Sequence, residues 1–291
     1  MSLKRRQVAA YLFLAPALSF FVIFTFVPVV MAFVIAFHRL TLSGWQFVGF
    51  ENFKTIFSAE DFWIAFRNTV LYTSVFVVKN VFLALTIASL ISPLSNRVQT
   101  FFRAAYYLPT VIASVVFAII WSWMFNYSFG PVNNILMRLG LEPVPWLNDP
   151  SLALWTVILT DVLIAPGSGI ILYLAAINNI PQTLYEAADL DGATPIMKWL
   201  KITVPLIMPT TLYLTVIYTV AGLSIFDKVF VLTGGGPGKA TITLVYLIYT
   251  SAFRDFDYGR SAAVSLIFFG VSVIISIFQF RAMAKSYELE G

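Results

Sequence analysis

The sequence contains no cysteine and one histidine, His38. Without thiols there is neither a disulfide framework nor a thiolate nucleophile. A lone histidine, placed at the end of an apolar run, makes a poor proton relay and reads as interfacial. Charge is scarce as well. Asp, Glu, Lys and Arg make up 11% of the 291 residues, against about 25% in soluble domains. The net charge of +4 is small and dispersed. No basic block tracks a phosphate backbone, so nucleic acid is not an expected partner. No His, Cys or paired-carboxylate cluster has metal-ligand or hydrolase spacing, and no enzyme site or bound metal is expected. Internal repeats and low-complexity linkers are also missing.

What the chain has is apolar length. Hydrophobic residues make up 59%, with 28 phenylalanines, and apolar runs of roughly twenty residues recur, each long enough to cross a hydrocarbon core. Most of the aromatic rings are expected to face lipid or neighbouring helices. Lys4, Arg5 and Arg6 precede the first run in the manner of a signal peptide. That run is about 30 residues long, well beyond a signal peptide's apolar core, so a retained span is expected. Hydropathy places six spans near residues 8–37, 70–91, 108–125, 152–176, 206–231 and 262–280, in a single all-α polytopic domain over 1–291. Six spans put both termini on one side. Lys and Arg divide almost evenly between alternate loops, and the Lys4-Arg5-Arg6 cluster tips the balance towards termini inside.

Between the first two spans, Leu40–Asn68 reads as one or two short surface helices. Tyr127–Pro150 reads as a turn, a helix near Val132–Leu139 and an extended exit, with Trp146 and Trp155 flanking the fourth span as interfacial anchors.

The most polar stretch lies between the fourth and fifth spans. Pro181 is expected to open a helix, since proline suits the first helical position. Asp191-Gly192 should stop it, because glycine accepts the left-handed conformation of a helix end. Thr194-Pro195 should start another, with threonine capping. The segment 180–205 is thus an elbow of two capped helices, longer than a plain connector requires.

Glu186-Ala187-Ala188, then Gly192, Ile202 and Pro205, carry the spacing of the signature loop of ABC-importer permeases, with Val204 replacing the usual leucine. Val231–Pro237, reading VLTGGGP, resembles a second stretch typical of the maltose-type carbohydrate permeases. Phe129–Asn133, Pro145-Trp146-Leu147 and Ala15-Pro16 look similar to that subfamily too. The resemblance implies a six-helix permease subunit of a type I, binding-protein-dependent ABC importer for a sugar or related polyol. It further implies that Glu186, Ala187, Ala188, Gly192, Ile202 and Pro205 form a cytoplasmic coupling helix. The implied partners are two cytoplasmic ATPase subunits, which bind ATP and Mg, a second homologous permease subunit and an extracytoplasmic substrate-binding protein. The implied setting is the lipid of a bacterial or archaeal inner membrane. No cofactor is implied for this chain itself.

Ionisable residues within spans cost roughly 2.5–3.5 kcal/mol at the centre, so each invites a functional reading. Asp161 and Lys79 lie at comparable depth. They either pair and hold two helices together or serve a substrate. Ala165–Gly169, reading APGSG, should break the fourth span, as a packing kink or as a bend lining a watery path. Counting from Glu186, the resemblance maps substrate contacts onto Asp161, Ile164, Ala165, Ser168, Tyr218, Ala221, Gly222 and Ile225, with Phe226 able to stack on a sugar ring. The glycine-rich run 233–241 lacks the first glycine and the hydroxyl of a P-loop around Lys239, so a tight turn is expected there and not a nucleotide site. An ion-gradient-driven secondary transporter is the alternative, although such folds usually show internal repeats.

Overall fold

The computed structural model describes the backbone of residues 3–288 and the side chains of residues 11–281. The basic cluster Lys4, Arg5 and Arg6 lies outside the described side chains. In chain order the elements begin with α1 (Leu3–Phe21), a π turn, α2 (Val27–Ala36), β1 (His38–Thr41), β2 (Gly44–Phe47), α3 (Glu51–Ser58) and α4 (Glu60–Ile91). There follow α5 (Asn96–Tyr107), α6 (Ser114–Met124), α7 (Pro131–Arg138), α8 (Ala153–Val162) and α9 (Gly167–Asn178). The chain closes with α10 (Gln182–Leu190), α11 (Pro195–Lys198), α12 (Val204–Leu206), α13 (Met208–Leu223), α14 (Asp227–Leu232), α15 (Leu244–Phe253) and α16 (Tyr258–Glu288).

Four stretches are long and apolar enough to cross a membrane: Tyr11–Ala36, Glu60–Ile91, Met208–Leu232 and Tyr258–Arg281. Two bent pairs raise the number to six. Asn96–Val111 meets Ser114–Met124 at 85°, and Ala153–Val162 meets Gly167–Asn178 at 42°. At the second break Pro166 removes a ladder donor and disfavours helix at the preceding residue. At the first, Pro109 opens a tighter 3-10 turn, Leu108–Val111, and the break follows at extended Ile112 and Ala113. In the first span the ladder widens to a π turn at Val22–Phe26, just ahead of Pro28.

The chain divides into two compact units. One comprises the residues up to Phe62 together with Leu247–Gly270. Here β1 and β2 pair antiparallel, with His38 opposite Phe47 and Thr41 opposite Gly44. This hairpin replaces the first part of the all-helical connection expected over 40–68, and α3 supplies the helix. Thr41, Trp45 and Phe47 suit strands on either side of a Leu42-Ser43 turn, a short pattern that hydropathy averaging conceals. Buried Asn52 fastens α3 to the end of the first span by donating to the carbonyls of Ala36 and His38 at 2.8 and 2.9 Å. Arg260 grips Asp61 with two bonds from one nitrogen, at 2.9 and 2.8 Å.

The other unit comprises Trp63–Tyr246 with Val271 onwards. Its core is built where α4, α9 and α13 meet, around Ala84, Ala88, Ile170, Tyr173, Leu174 and Leu214. Small alanines on α4 let the large side chains of α9 approach closely, the usual solution where helices pack in lipid. Buried Asn133 ties α7 to the exit strand by bonding both the N–H and the carbonyl of Val144 and accepting from the Trp146 indole at 2.9 Å. Ahead of α8, the exposed carboxylate of Asp149 accepts from the Ser151 hydroxyl and N–H, which holds its pKa below the usual carboxylate range. The run after α14 is the expected tight turn, with left-handed Gly234, Gly235, Gly238 and Lys239. The apolar helix α15, which follows it, was not expected from hydropathy.

Candidate functional site

The two broken spans enclose a cavity of 350 Å³, within the size range of small-ligand sites. Pro109, Thr110 and Ile112 line it from the first break, and Ile164, Ala165 and Pro166 from the second. The second break requires glycine next to it. A side chain at Gly167 would run into the carbonyl of Tyr106, so α5 can pass this close only because position 167 has no Cβ. Backbone freed from its ladder at membrane depth is tolerated where it faces protein or a cavity.

Asp161, on the last turn of α8, is 7% exposed. Its carboxylate accepts from the Tyr72 hydroxyl of α4 and from the Lys228 ammonium of α14. Three elements are therefore joined at one carboxylate. The Asp161–Lys79 pair considered from sequence is not what forms. Lys79 donates to the Ile164 carbonyl at 2.8 Å and to the Asn80 side chain at 3.0 Å. The carbonyl is one that the helix break released. Lys228 lies in the first turn of α14, and its ion pair with Asp161 sets it on the cavity wall. Ser114, at the start of α6, donates to Asp227.

Of the residues mapped by resemblance, Asp161, Ile164, Ala165, Ser168 and Tyr218 all line this cavity. Ala221, Ile225 and Phe226 line an adjoining hollow of 230 Å³ that shares Asp161 and Lys228. Gly222 is buried, its Cα facing Thr73 and Phe76 of α4; it admits a close helix crossing and faces neither space. The ring of Phe226 stacks on Phe230 and Tyr246, with centroids 5.3 and 6.3 Å apart. Sequence reasoning missed Tyr72, Asn80, Ser114 and Lys228. The signal available for Tyr72 was its seven-residue spacing from Lys79, which puts the two on one helix face; Asn80, adjacent to Lys79, carried none.

The elbow lies directly after α9. Pro181 sits at the cap before α10 and not in its first turn. Gly192 ends α10 with φ +71°, and the Ala193 N–H closes back onto the Ala188 carbonyl at 2.9 Å. Thr194 caps α11 by accepting from the Met197 N–H at 3.3 Å, with Pro195 in the first turn. Glu186, Ala187, Gly192 and Pro205 are exposed, while Ala188 and Ile202 are half-buried. Lys198 bridges the arms to Asp189 at 2.6 Å, and the Tyr185 hydroxyl meets that of Thr203 at 2.8 Å. The Trp199 indole donates to Ser89 of α4 at 2.9 Å. Leu190, Ile196 and Leu200 are 91%, 72% and 54% exposed.

A cavity at two broken apolar spans, with a helical elbow beyond one of them, fits a transport protein. Residues 80–284 match the family of binding-protein-dependent transport system inner membrane components, and the chain belongs to that family as a multi-pass permease. It is 32% identical over 278 residues to the sulfoquinovosyl glycerol transport system permease protein of Agrobacterium fabrum, covering 94% of this chain and 90% of that one. It is 35% identical over 270 residues to the trehalose/maltose transport system permease protein of Thermococcus litoralis, covering 92% and 91%. Among solved structures, a chain of a bacterial ABC transporter involved in the import of the acidic polysaccharide alginate superposes with a TM-score of 0.86 at 27% identity, over 97% of this chain and 96% of that chain.

Proposed function

We propose that this chain is the membrane-spanning permease subunit of an ATP-driven, binding-protein-dependent importer for a sugar or related polyol. The observation that carries the reading is that one 12-residue helix, α9, runs from the cavity's broken span straight into the exposed elbow. A groove in an ATPase subunit would cover Leu190, Ile196 and Leu200, which are otherwise large apolar groups left in water. Glu186, Ala187, Ala188, Gly192, Ile202 and Pro205 then serve coupling. Two ATPase copies hold the ATP and Mg, a second homologous permease completes the path, and an extracytoplasmic binding protein delivers the substrate. Both termini and the elbow are cytoplasmic in this arrangement, and the permease chain itself carries out no chemistry. The carbohydrate assignment draws on relatives that serve sulfoquinovosyl glycerol and trehalose or maltose.

Along the path, Asp161, Ala165, Ser168, Tyr218, Ile225 and Phe226 are the assigned positions, with the Asp161 carboxylate and the Ser168 and Tyr218 hydroxyls bonding sugar hydroxyls; Gly222, mapped there by resemblance, serves the crossing with α4 instead. ATP-driven closure of the ATPase pair moves the elbow, and the attached bundle switches the cavity between two openings, a two-state change. Membership of the permease family argues against the ion-gradient alternative. Reconstituted with its partners in liposomes, the complex should take up sugar only when ATP is supplied. Uptake that persists without ATP and collapses with the ion gradient would overturn the proposal.

A further inference from the structure

The charges around the cavity are unevenly spread. At one end Lys228 is matched by Asp161, which Tyr72 also engages, and Asp227 is engaged by Ser114. At the other end, among the described residues, Lys79 has no carboxylate within ion-pair distance, only the Ile164 carbonyl and the Asn80 amide oxygen. Both nearby carboxylates, Asp161 and Asp227, are taken up by Lys228, Tyr72 and Ser114, so the positive charge of Lys79 is met by neutral acceptors alone. That charge sits at membrane depth, where an uncompensated ammonium is costly to hold.

Three further features surround the same end. The ammonium is held at Ile164, and α9 begins three residues later at Gly167. The N–H of Ser168, in the first turn of α9 and on the cavity lining, donates to no backbone carbonyl, leaving the positive end of the helix dipole at the cavity wall. The Tyr218 hydroxyl, of a residue only 7% exposed, lies against Gly169 and beside the Ser168 side chain. Lys79, with three donors, uses two. Half-helix N-termini aimed into a mid-membrane site are suited to anionic groups of a transported molecule.

We propose that the Lys79 end of the cavity is a subsite for an anionic group on the substrate: a carboxylate, sulfonate or phosphate borne by an otherwise hydroxyl-rich molecule. The inference rests on the importer reading above and narrows its substrate class to acidic sugars or polyols. The anion takes the third Lys79 donor and the Ser168 N–H of α9. The hydroxyls face Asp161, which accepts. Lys79 is thus a specificity-determining residue, and the substrate enters in one orientation.

The test is uptake by the complete importer, reconstituted in liposomes with its binding protein and partner subunits. It is offered matched acidic and neutral pairs: cellobiouronic acid against cellobiose, and sn-glycerol 3-phosphate against glycerol. ATP-dependent uptake should be confined to the acidic member, and the pair that responds separates carboxylate from phosphate. At equal amounts of assembled complex, Lys79→Gln should lower that uptake roughly tenfold or more, as loss of a partly buried charged partner does. Lys79→Arg should keep most of it. ATP-driven uptake of a neutral member that is indifferent to Lys79→Gln would overturn the subsite and leave the importer function standing. Failure of ATP to drive uptake of any of the four would overturn both.

Discussion

The elbow and the cavity lie at opposite ends of α9, and each inverts the usual rule for its surroundings. At the elbow, large apolar side chains such as Leu190 and Ile196 stand exposed. At the cavity, charged side chains are gathered among apolar spans, with Asp161 and Lys228 only 10% and 15% exposed. Both are incomplete surfaces, but they are incomplete in different senses. The elbow lacks area and needs a partner protein to cover it. The cavity already satisfies most of its polar groups internally, and what it has to spare is specific: one Lys79 donor and the Ser168 N–H. Breaking the first should disconnect the motor and leave the path intact. Breaking the second should damage the path, and often the fold, while leaving the motor docked.

The largest effect should come from Asp161→Ala. Removing one partner of a buried ion pair leaves Lys228 uncompensated, at a cost of about 3–5 kcal/mol, read as a lowered Tm of the detergent-solubilised complex and loss of uptake. Adding Lys228→Met should recover part of the stability without restoring uptake, because the charge imbalance is removed but the acceptor is not. A double variant no more stable than the single one would mean that the pair is not the source of the cost.

Next, Glu186→Lys or Gly192→Asp should abolish co-purification with the ATPase while the Tm of the permease pair shifts little for Glu186→Lys, whose side chain is exposed. Gly192→Asp additionally forces a side chain into φ +71°, at about 1 kcal/mol. Retained ATPase binding in both variants would sever the elbow from its assigned role. Smaller still is Trp199→Phe, which keeps the ring and deletes the N–H that reaches Ser89. A net loss of about 0.5–1.5 kcal/mol is expected. Ser89→Ala should match it, and the double variant should be no worse than either alone. In uptake per ATP hydrolysed, both should fall below wild type, since the bond is the elbow's direct polar link to α4. The smallest is Thr194→Ala, about 1 kcal/mol or less for a cap whose bond is already long at 3.3 Å, visible as local hydrogen exchange at α11 with uptake near normal.

How much of this was legible beforehand differs between the two regions for a physical reason. The elbow is written in local code. Gly192 and Thr194-Pro195 act within four residues of themselves, so spacing alone marked the stop, the cap and the restart. Pro181 was off by one position because proline is also compatible with the residue just before a helix. The cavity is written across distance. Asp161 and Lys79 announced themselves as intramembrane charges, but their partners come from residues 67 and 85 positions away, and hydropathy has no means to choose Lys228 over Lys79. The choice is made by the bend at Pro166, which frees the Ile164 carbonyl for Lys79 and turns Asp161 towards α14. The bend at Pro166 could be read from the APGSG stretch, whereas the one at Ile112-Ala113 fell inside a span expected to run unbroken over 108–125; their 42° and 85° angles depend on packing. The hairpin of β1 and β2 escaped because eight strand residues disappear within a window sized for spans.

The 12 residues of α9 span about 18 Å at 1.5 Å per residue. With the break at one end and the elbow at the other, α9 is a lever arm whose fulcrum is Pro166. A rotation of about 10° at that fulcrum carries the elbow roughly 3 Å, comparable to the gap between making and losing a hydrogen bond. The gearing also runs in reverse: a displacement of a few ångströms imposed on the elbow arrives at the cavity as a small turn of the residues carrying Ile164 and Ser168, enough to loosen the hold on Lys79 without unfolding a single turn of helix.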